Sequence, residues 1–332
     1  MICLGIESTC DETSISVVND RFEILSNVIY SQVDLHSPFG GVFPELAARE
    51  HLEKIGPCFL EALKKANISF DQINLISVAY GPGLIGSIQV GLTFAKSLSL
   101  LLNVPFVAVN HVHAHLIAPI LNHKDAFEQL PAIGIVLSGG HTQINLMHSL
   151  MDIETVGSTI DDAMGECFDK CAKICGLPYP GGPHVEKTAM KGDSSKVHLK
   201  SCKVKDRPFS FSFSGLKTQV LYASKNQNKG YEDLLASFQH VVFQDVLEKA
   251  QKAVDFYDAK AIFIGGGVAS SKTLRSYFED FCRPVYFPSK ELALDNAAMI
   301  AALGILQFNQ LGPSPIEIEP KSRIPFTTNQ VV

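Results

Sequence analysis

Three histidines at alternate positions, His111, His113 and His115 in "NHVHAHL", directly follow the apolar run "VPFVAV". Imidazoles at such density serve as metal ligands, as an acid/base cluster or as exposed polar groups, and the backbone beneath them decides which. On a strand all three share one face. On a helix only His111 and His115, four apart, do so, and His113 turns away. Two polar turns carry further chemistry. "SGGHT" (138–142) joins two apolar, β-branched runs. Its adjacent glycines permit close backbone approach and leave N–H groups to cradle an anion; Ser138 and Thr142 add hydroxyls, and His141 can meet a charged oxygen. An ordinary glycine-rich turn has the same composition, and the residues alone do not choose. "ESTCDET" supplies acids where the other turn offers donors: Glu7, Asp11 and Glu12.

Other glycine-rich turns are less specific. "GGGVASS" (265–271) follows a buried strand and opens a helix, the form of a turn beside a nucleotide, and the glycine pair of "YPGGP" (179–183) lets backbone lie flat against a ring. "GPGLIG" (81–86) has dinucleotide-turn and Walker A glycine spacing. It lacks an acidic residue near position 106 to hold a ribose, and Ser87-Ile88 stand where a Lys-Ser/Thr pair would grip phosphates, so it reads as a tight turn. Cys167, Cys171 and Cys175 fall four apart along an expected helix. Its rise separates the outer two by about 12 Å, whereas sulfurs on one zinc lie within about 4 Å of each other. They read as a buried stripe of small residues. Asp162, Glu166, Asp169 and Lys173 share another face of that helix, either a solvated surface or a cleft face on which Asp169 accepts hydrogen bonds from ribose hydroxyls.

The elements that must position these groups alternate in type. Residues 2–6 and 15–18 read as strand, turn, strand, and 44–65 as a helix opened by Pro44. A strand at 74–80 runs through "GPGLIGS" into a helix, and "FVAV" precedes the histidines. Residues 122–131 are the best linker, after which 132–147 repeats the opening strand–turn–strand, as in an internal duplication. A helix over 232–256, a strand at 261–264 and an Ala-rich helix after Asp295, a good N-cap, complete an α/β pattern.

The chain's 332 residues, 46% hydrophobic and 19% charged, are ample for a core and suggest two domains. Net charge is -6, and no Lys/Arg run reaches five, so an RNA partner needs a local patch or another subunit. The N-terminus lacks the basic region of a signal peptide, and the most apolar stretch, "SLSLLLNVPFVAV", is too short to span a bilayer. Eight cysteines without small-domain spacing fit reduced thiols. These features predict a soluble, cytoplasmic protein with no membrane association.

Acid-rimmed and donor-rich hairpins, one per half, with a later glycine-rich turn resemble the layout of the actin-like, sugar-kinase and Hsp70-like ATPase fold. "GIESTCDETSISVV", "YSQVDLHSPFGGVFPELAAREH", "GPGLIGSIQVG", "NHVHAH", "LSGGHTQI", "TIDDAMGECFDK", "YPGGP", "FSFSGLKT", "GGGVASS" and "DNAAMIA" occur in the order and spacing of one family. The chain resembles the tRNA N-6-adenosine threonylcarbamoyltransferases, once described as O-sialoglycoprotein endopeptidases, from Ile2 to about Phe326.

The resemblance implies two duplicated RNase H-like α/β subdomains around a central cleft, 1–125 (joined by a C-terminal helix over 296–332) and 126–295. It implies a divalent metal, iron or zinc, on His111, His115 and Asp295, with His113 off that face. A zinc protease would want H-E-x-x-H, and no Glu lies between this pair. Val136, Leu137, Ser138, Gly139 and Gly140 would embrace the threonylcarbamoyl and phosphate portion of a threonylcarbamoyl-adenylate. Asp169 and Gly182 would hold its ribose, with Glu186 at the same end. Ser271 stands where the family usually has Asn, a one-donor group in place of a two-donor amide. Asp11 and Glu12 match the catalytic acidic pair, and His141 belongs to the reacting turn. Adjacent residues in a turn should point apart, so one of the pair, Asp11, is expected to reach the attacking amine. The implied partners are tRNA, an inactive paralogue and a small P-loop ATPase. An actin-fold kinase or ATPase, and a non-catalytic scaffold, are the alternatives.

Overall fold

The computed structural model describes residues 1–225 and 230–324 and divides into two units. The first comprises Met1–Asp125, Leu150–Asp152 and the chain from Pro288 onward; the second comprises Ala126–Ser149 and Ile153–Phe287.

Unit 1 is built on the strands β1 (Ile2–Glu7), β2 (Glu12–Asn19), β3 (Ile24–Ser31), β4 (Leu75–Gly81) and β5 (Phe106–Asn110), in the order β3-β2-β1-β4-β5. β1 pairs antiparallel with β2 and parallel with β4. Alternation sends Leu4, Ile6, Ile15, Val17, Ile76 and Val78 to one face. There they meet α2 (Pro44–Ala66) and α3 (Ile85–Leu102), which follow the short α1 (Val33–His36). The opposite face carries small residues, for a reason that appears where the chain returns. α3 is long and apolar enough to cross a membrane, longer than the run expected, but Leu92, Ala95 and Leu98 commit it to this core. β5 leads into α4 (His111–Ile117), whose start is capped by the Asn110 side chain accepting from Val112 N at 2.8 Å.

Unit 2 repeats the plan with β6 (Ala132–Leu137), β7 (Thr142–Met147), β8 (Ile153–Ser158), β9 (Ile262–Gly265) and β10 (Val285–Tyr286), ordered β8-β7-β6-β9-β10. β6, like β1, pairs antiparallel with its successor and parallel with the strand on its other side. The duplication inferred from the two hairpins therefore extends over both whole sheets. Helices α5 (Met164–Ile174), α6 (Gly181–Ala189), α7 (Ser214–Ser224), α8 (Glu232–Tyr257) and α9 (Lys272–Ser276) complete the unit. Cys167 and Cys171 are fully buried on α5 and Cys175 ends it, as the small-residue reading requires.

The chain re-enters unit 1 through α10 (Lys290–Ala293) and α11 (Ala297–Leu311). Residues 288–295 thus belong with the first unit, not with the second as expected. The helix expected over 296–332 ends at Leu311; residues 312–324 are irregular, and 325–332 lie outside the described residues. α11 is Ala-rich because it lies against the small-residue face of the first sheet: a side chain at Gly5 would strike Ala297, and one at Gly304 would strike Ser77. Its N-cap is Asn296, which accepts from Met299 N at 3.2 Å, and Ser14 Oγ takes Ala297 N at 2.9 Å. Asp295, expected to be that cap, has no such duty.

Candidate metal centre and anion-binding turn

α4 settles the histidine question. His111 and His115 share one face with ring centroids 4.7 Å apart, while His113 points elsewhere, half-buried, its imidazole pushed by burial down to about 4. Asp295 Oδ1 lies 3.1 Å from His115 Nε2 and 3.6 Å from His111 Nε2. One ligand atom from each of the three residues falls within 4.8 Å of the others. His115 is 1% exposed, and neither ring nitrogen finds an aligned hydrogen-bond partner despite the short approach of Asp295. A buried, orphaned imidazole nitrogen is costly. Two nitrogens and a carboxylate oxygen converging on one point are what a cation would satisfy, and this N,N,O set suits iron or zinc.

A residue the sequence reading left without a role completes the centre. Glu7, fully buried at the end of β1, places Oε2 2.8 Å from His111 Nδ1 and takes Thr9 N on Oε1 at 2.5 Å. A carboxylate only accepts, so Nδ1 carries a proton, and once Nε2 gives up its own, its lone pair lies on the Asp295 side, the arrangement of a carboxylate–histidine–metal relay. Burial alone would depress His111, but Glu7 and then Asp295 outweigh it and hold the metal-free imidazole at about 9. A carboxylate six residues into an otherwise apolar strand was the available signal.

The turn after Glu7 is fixed from several sides. Ser8 Oγ donates to Ser87 O at 2.9 Å and Leu84 N to Thr9 O at 2.8 Å. A Cβ at Gly83 would sit 2.5 Å from Thr9 O, so "GPGLIG" is a close-approach turn against this hairpin. His51, kept neutral by burial, donates from Nε2 to Cys10 O at 3.0 Å and accepts from Thr13 Oγ1 at 2.7 Å. Asp11 and Glu12 do not point apart as expected, because their carboxyls hydrogen-bond one another. Both are pushed above the usual carboxylate range, Asp11 by burial and the Asp295 charge, Glu12 by burial and the charges of Asp11 and Asp295. Such a pair titrates as a unit.

The predicted residues of unit 2 form a second group. Ser138 and His141 close the β6–β7 turn: Ser138 N donates to His141 O at 2.8 Å, and His141 N to Ser138 Oγ at 3.0 Å. Gly139 and Gly140 face open space, where a side chain would meet nothing within 4 Å. α5 braces the turn, Gly165 N donating to Ser138 O at 3.1 Å and Met164 N to Thr142 Oγ1 at 2.8 Å. Val136 and Leu137 are fully buried in β6, so only their backbone is available to a ligand. Gly266, at φ 91°, packs so tightly on Leu137 O that any Cβ would collide. Asp169 accepts Gly181 N at 2.6 Å, tying α5 to the start of α6, where Gly182 is open. Glu186 accepts Ser271 Oγ at 2.7 Å and Thr273 N at 2.8 Å, and Ser271 caps α9 by accepting Leu274 N at 3.0 Å. Ser271 therefore has a structural duty of its own. All eight cysteines are free thiols.

Two sheets of identical strand order, each with a polar hairpin turn, make this an α/β protein of the actin-like ATPase fold. The nucleotide- and phosphate-bound full-length HypF crystal structure superposes on 94% of this chain and 47% of its own at TM-score 0.63 and 14% identity. The dehydratase component A of Acidaminococcus fermentans covers 92% and 98% at TM-score 0.54 and 13% identity. Sequence comparison is more specific. The family model for tRNA N6-adenosine threonylcarbamoyltransferase matches residues 23–302. Proteins of that name from Protochlamydia amoebophila and Thermosipho africanus are 46% and 44% identical over 98% of this chain and 98% and 100% of their own. The chain belongs to the tRNA N6-adenosine threonylcarbamoyltransferase family, transferases that act on tRNA.

Proposed function

We propose that the chain transfers a threonylcarbamoyl group from threonylcarbamoyl-adenylate to N6 of the adenosine beside the anticodon, in tRNAs that read codons beginning with A. The carbamoyl carbon gains a bond to N6 and loses its bond to the adenylate phosphate oxygen, AMP departs, and the N6 proton passes to a carboxylate. The observation that carries the reading is the convergence of His111, His115 and Asp295 in a member of this family. A divalent cation held by these three supplies Lewis acidity toward the acyl group. The Asp11–Glu12 pair is the base: both carboxyls are held above the usual carboxylate range, and the ionised form accepts the proton of the attacking amine. In unit 2 the open backbone at Gly139 and Gly140, with Ser138 and His141, offsets charge on the phosphate and reacting oxygens. Asp169, Gly182 and Glu186 serve the ribose end, with Ser271 keeping Glu186 oriented. The inactive paralogue and the small P-loop ATPase act with the chain in the cytoplasm.

The test is mass spectrometry of tRNA nucleosides after the full chain, its partners and tRNA are mixed with synthetic threonylcarbamoyl-adenylate, before and after chelation. Threonylcarbamoyl-adenosine should form, stop on chelation and return with added iron or zinc. Formation at an undiminished rate in metal-free protein would refute the role given to the three ligands.

A further inference from the structure

An acidic chain that acts on tRNA has to present positive charge somewhere. Seven of its 28 Lys and Arg residues fall in 187–207, against two acids, Asp193 and Asp206. Between those acids, residues 194–205 carry Lys196, Lys200, Lys203 and Lys205 with His198 and no carboxylate. This stretch has neither helix nor strand, yet its side chains alternate: the four lysines and His198 are exposed, while Val197, Leu199, Cys202 and Val204 turn partly inward. The result is an irregular ribbon whose exposed charged groups are all basic, interspersed with Ser194, Ser195 and Ser201 and flanked by exposed Lys187, Lys191 and Arg207.

The ribbon is anchored. Ser237 Oγ of α8 donates to Val197 O. The Gln219 side chain of α7 accepts Lys200 N and donates to Lys200 O, each at 3.0 Å. Cys202 Sγ packs where a side chain at Gly215 would stand. Among the described residues none of the seven basic groups is ion-paired, whereas nearby Lys170 and Lys217 each close on Asp162 at 2.6 Å. Their charge is uncommitted. An ordered row of such lysines matches a phosphodiester backbone, which binds through cations and released counterions and needs no base contact. An anionic membrane fits less well, because the ribbon's apolar residues face the protein and leave nothing to insert between lipids.

We infer that Lys196–Lys205 is the surface on which this chain holds the phosphate backbone of its tRNA. The inference rests on tRNA being the acceptor in the proposed transfer, but not on the chemistry of that transfer. Binding of unmodified tRNA to the full chain is measured by fluorescence anisotropy across a salt series, for wild type, for Lys196→Ala/Lys200→Ala/Lys203→Ala/Lys205→Ala and for the same four positions changed to Arg. The alanine variant should bind roughly 10–100-fold more weakly, with its log K against log salt slope shallower by about three to four, roughly 0.7–0.9 for each of the four lost phosphate contacts. The arginine variant should bind like wild type, with both variants melting at the wild-type temperature. Wild-type affinity and slope in the alanine variant would overturn the proposal, as would loss of binding to anionic lipid vesicles with tRNA binding intact. Failure of the wild-type complex to modify the tRNA it binds would count against the transfer reading alone.

Discussion

Glu7→Gln should change metal affinity in a way that depends on pH. Glu7 is fully buried and lies 2.8 Å from His111 Nδ1, so the substitution preserves shape while removing the charge that lifts His111 to about 9. Two consequences oppose each other. Losing a carboxylate behind a ligating histidine costs roughly 10–100-fold in metal affinity. The wild-type imidazole, however, must shed a proton to bind metal. At pH 7, about two units below its pKa, that competition costs about 2.7 kcal/mol, or roughly 100-fold. The glutamine variant largely escapes it, because burial then pulls His111 down toward or below its ordinary value. The two enzymes should therefore bind zinc about equally at pH 7, and the variant 10–100-fold more weakly at pH 9. Competition with a chromophoric chelator at both pH values reads this out. The amide can serve only one of Glu7's two donors, so thermal unfolding is followed in parallel. An equal loss at both pH values, or none at pH 9, would show that Glu7 does not set the state of His111.

Metal content should fall sharply in His111→Ala and His115→Ala and persist in His113→Ala, as measured by plasma mass spectrometry; equal loss in all three is incompatible with α4 as built. Ser271→Ala should cost about 1 kcal/mol of stability through the lost cap of α9, whereas Ser271→Asn keeps a capping oxygen and should melt normally. Burial would raise Asp162, but hydrogen bonds from Lys170 and Lys217 outweigh it and hold its carboxyl below the usual range. Its stabilisation is therefore present above about pH 4, the unfolded value, and is lost as pH falls through the folded one. Asp162→Asn should cost about 1–3 kcal/mol in urea unfolding at pH 7, the worth of hydrogen bonds to a charged group, and far less near pH 2. Asp11→Asn should bind the adenylate nearly normally while single-turnover transfer drops roughly 10²–10⁴-fold; because the two carboxyls act as a pair, Glu12→Gln should fall into the same range, and a wild-type rate in either would break up the pair.

Much of this was legible wherever side-chain pattern and backbone chemistry agreed. β1, β2 and β6 are short β-branched runs, α2 begins at its proline, and the four-residue spacing of His111 and His115 implied a shared helical face. The misses have physical causes. β3 escaped because an edge strand exposed near its end, "ILSNVIYS", mixes polar and apolar residues without a clean period. The span of α11 was overextended because composition does not mark where a helix stops packing; Gly312, at φ 79°, does. The cap was assigned to Asp295 because Asp and Asn are equally good caps in sequence, and only the backbone shows that Asn296 takes the role. Contact between Asp11 and Glu12 was unforeseen because it depends on how Ser8, Leu84 and His51 hold the turn, and those interactions reach dozens of residues away.

The duplicated sheets give a reason for the unequal chemistry of the two hairpin turns. β1–β2 and β6–β7 occupy the same position in sheets of the same order, so the backbone offers each turn the same opportunities. In unit 1 the turn has spent them on acids: Glu7 beneath His111, and Asp11 and Glu12 at the start of β2, near enough to Asp295 for its charge to raise both. Such a concentration of buried carboxyls is unfavourable unless protons or a cation relieve it. The nearby cluster of His111, His115 and Asp295 converges where a cation would offset that charge. In unit 2 the equivalent turn carries no acid at all. Its glycines leave backbone open while the Ser138 hydroxyl helps close the turn, an arrangement that suits a negatively charged ligand. The same hairpin position thus has converging His and Asp side chains beside it in one unit and open backbone in the other. Metal affinity and adenylate affinity should accordingly be lost independently: His115→Ala should abolish the first and spare the second, while Gly139→Asp, which puts a carboxylate into the open turn of unit 2, should do the reverse.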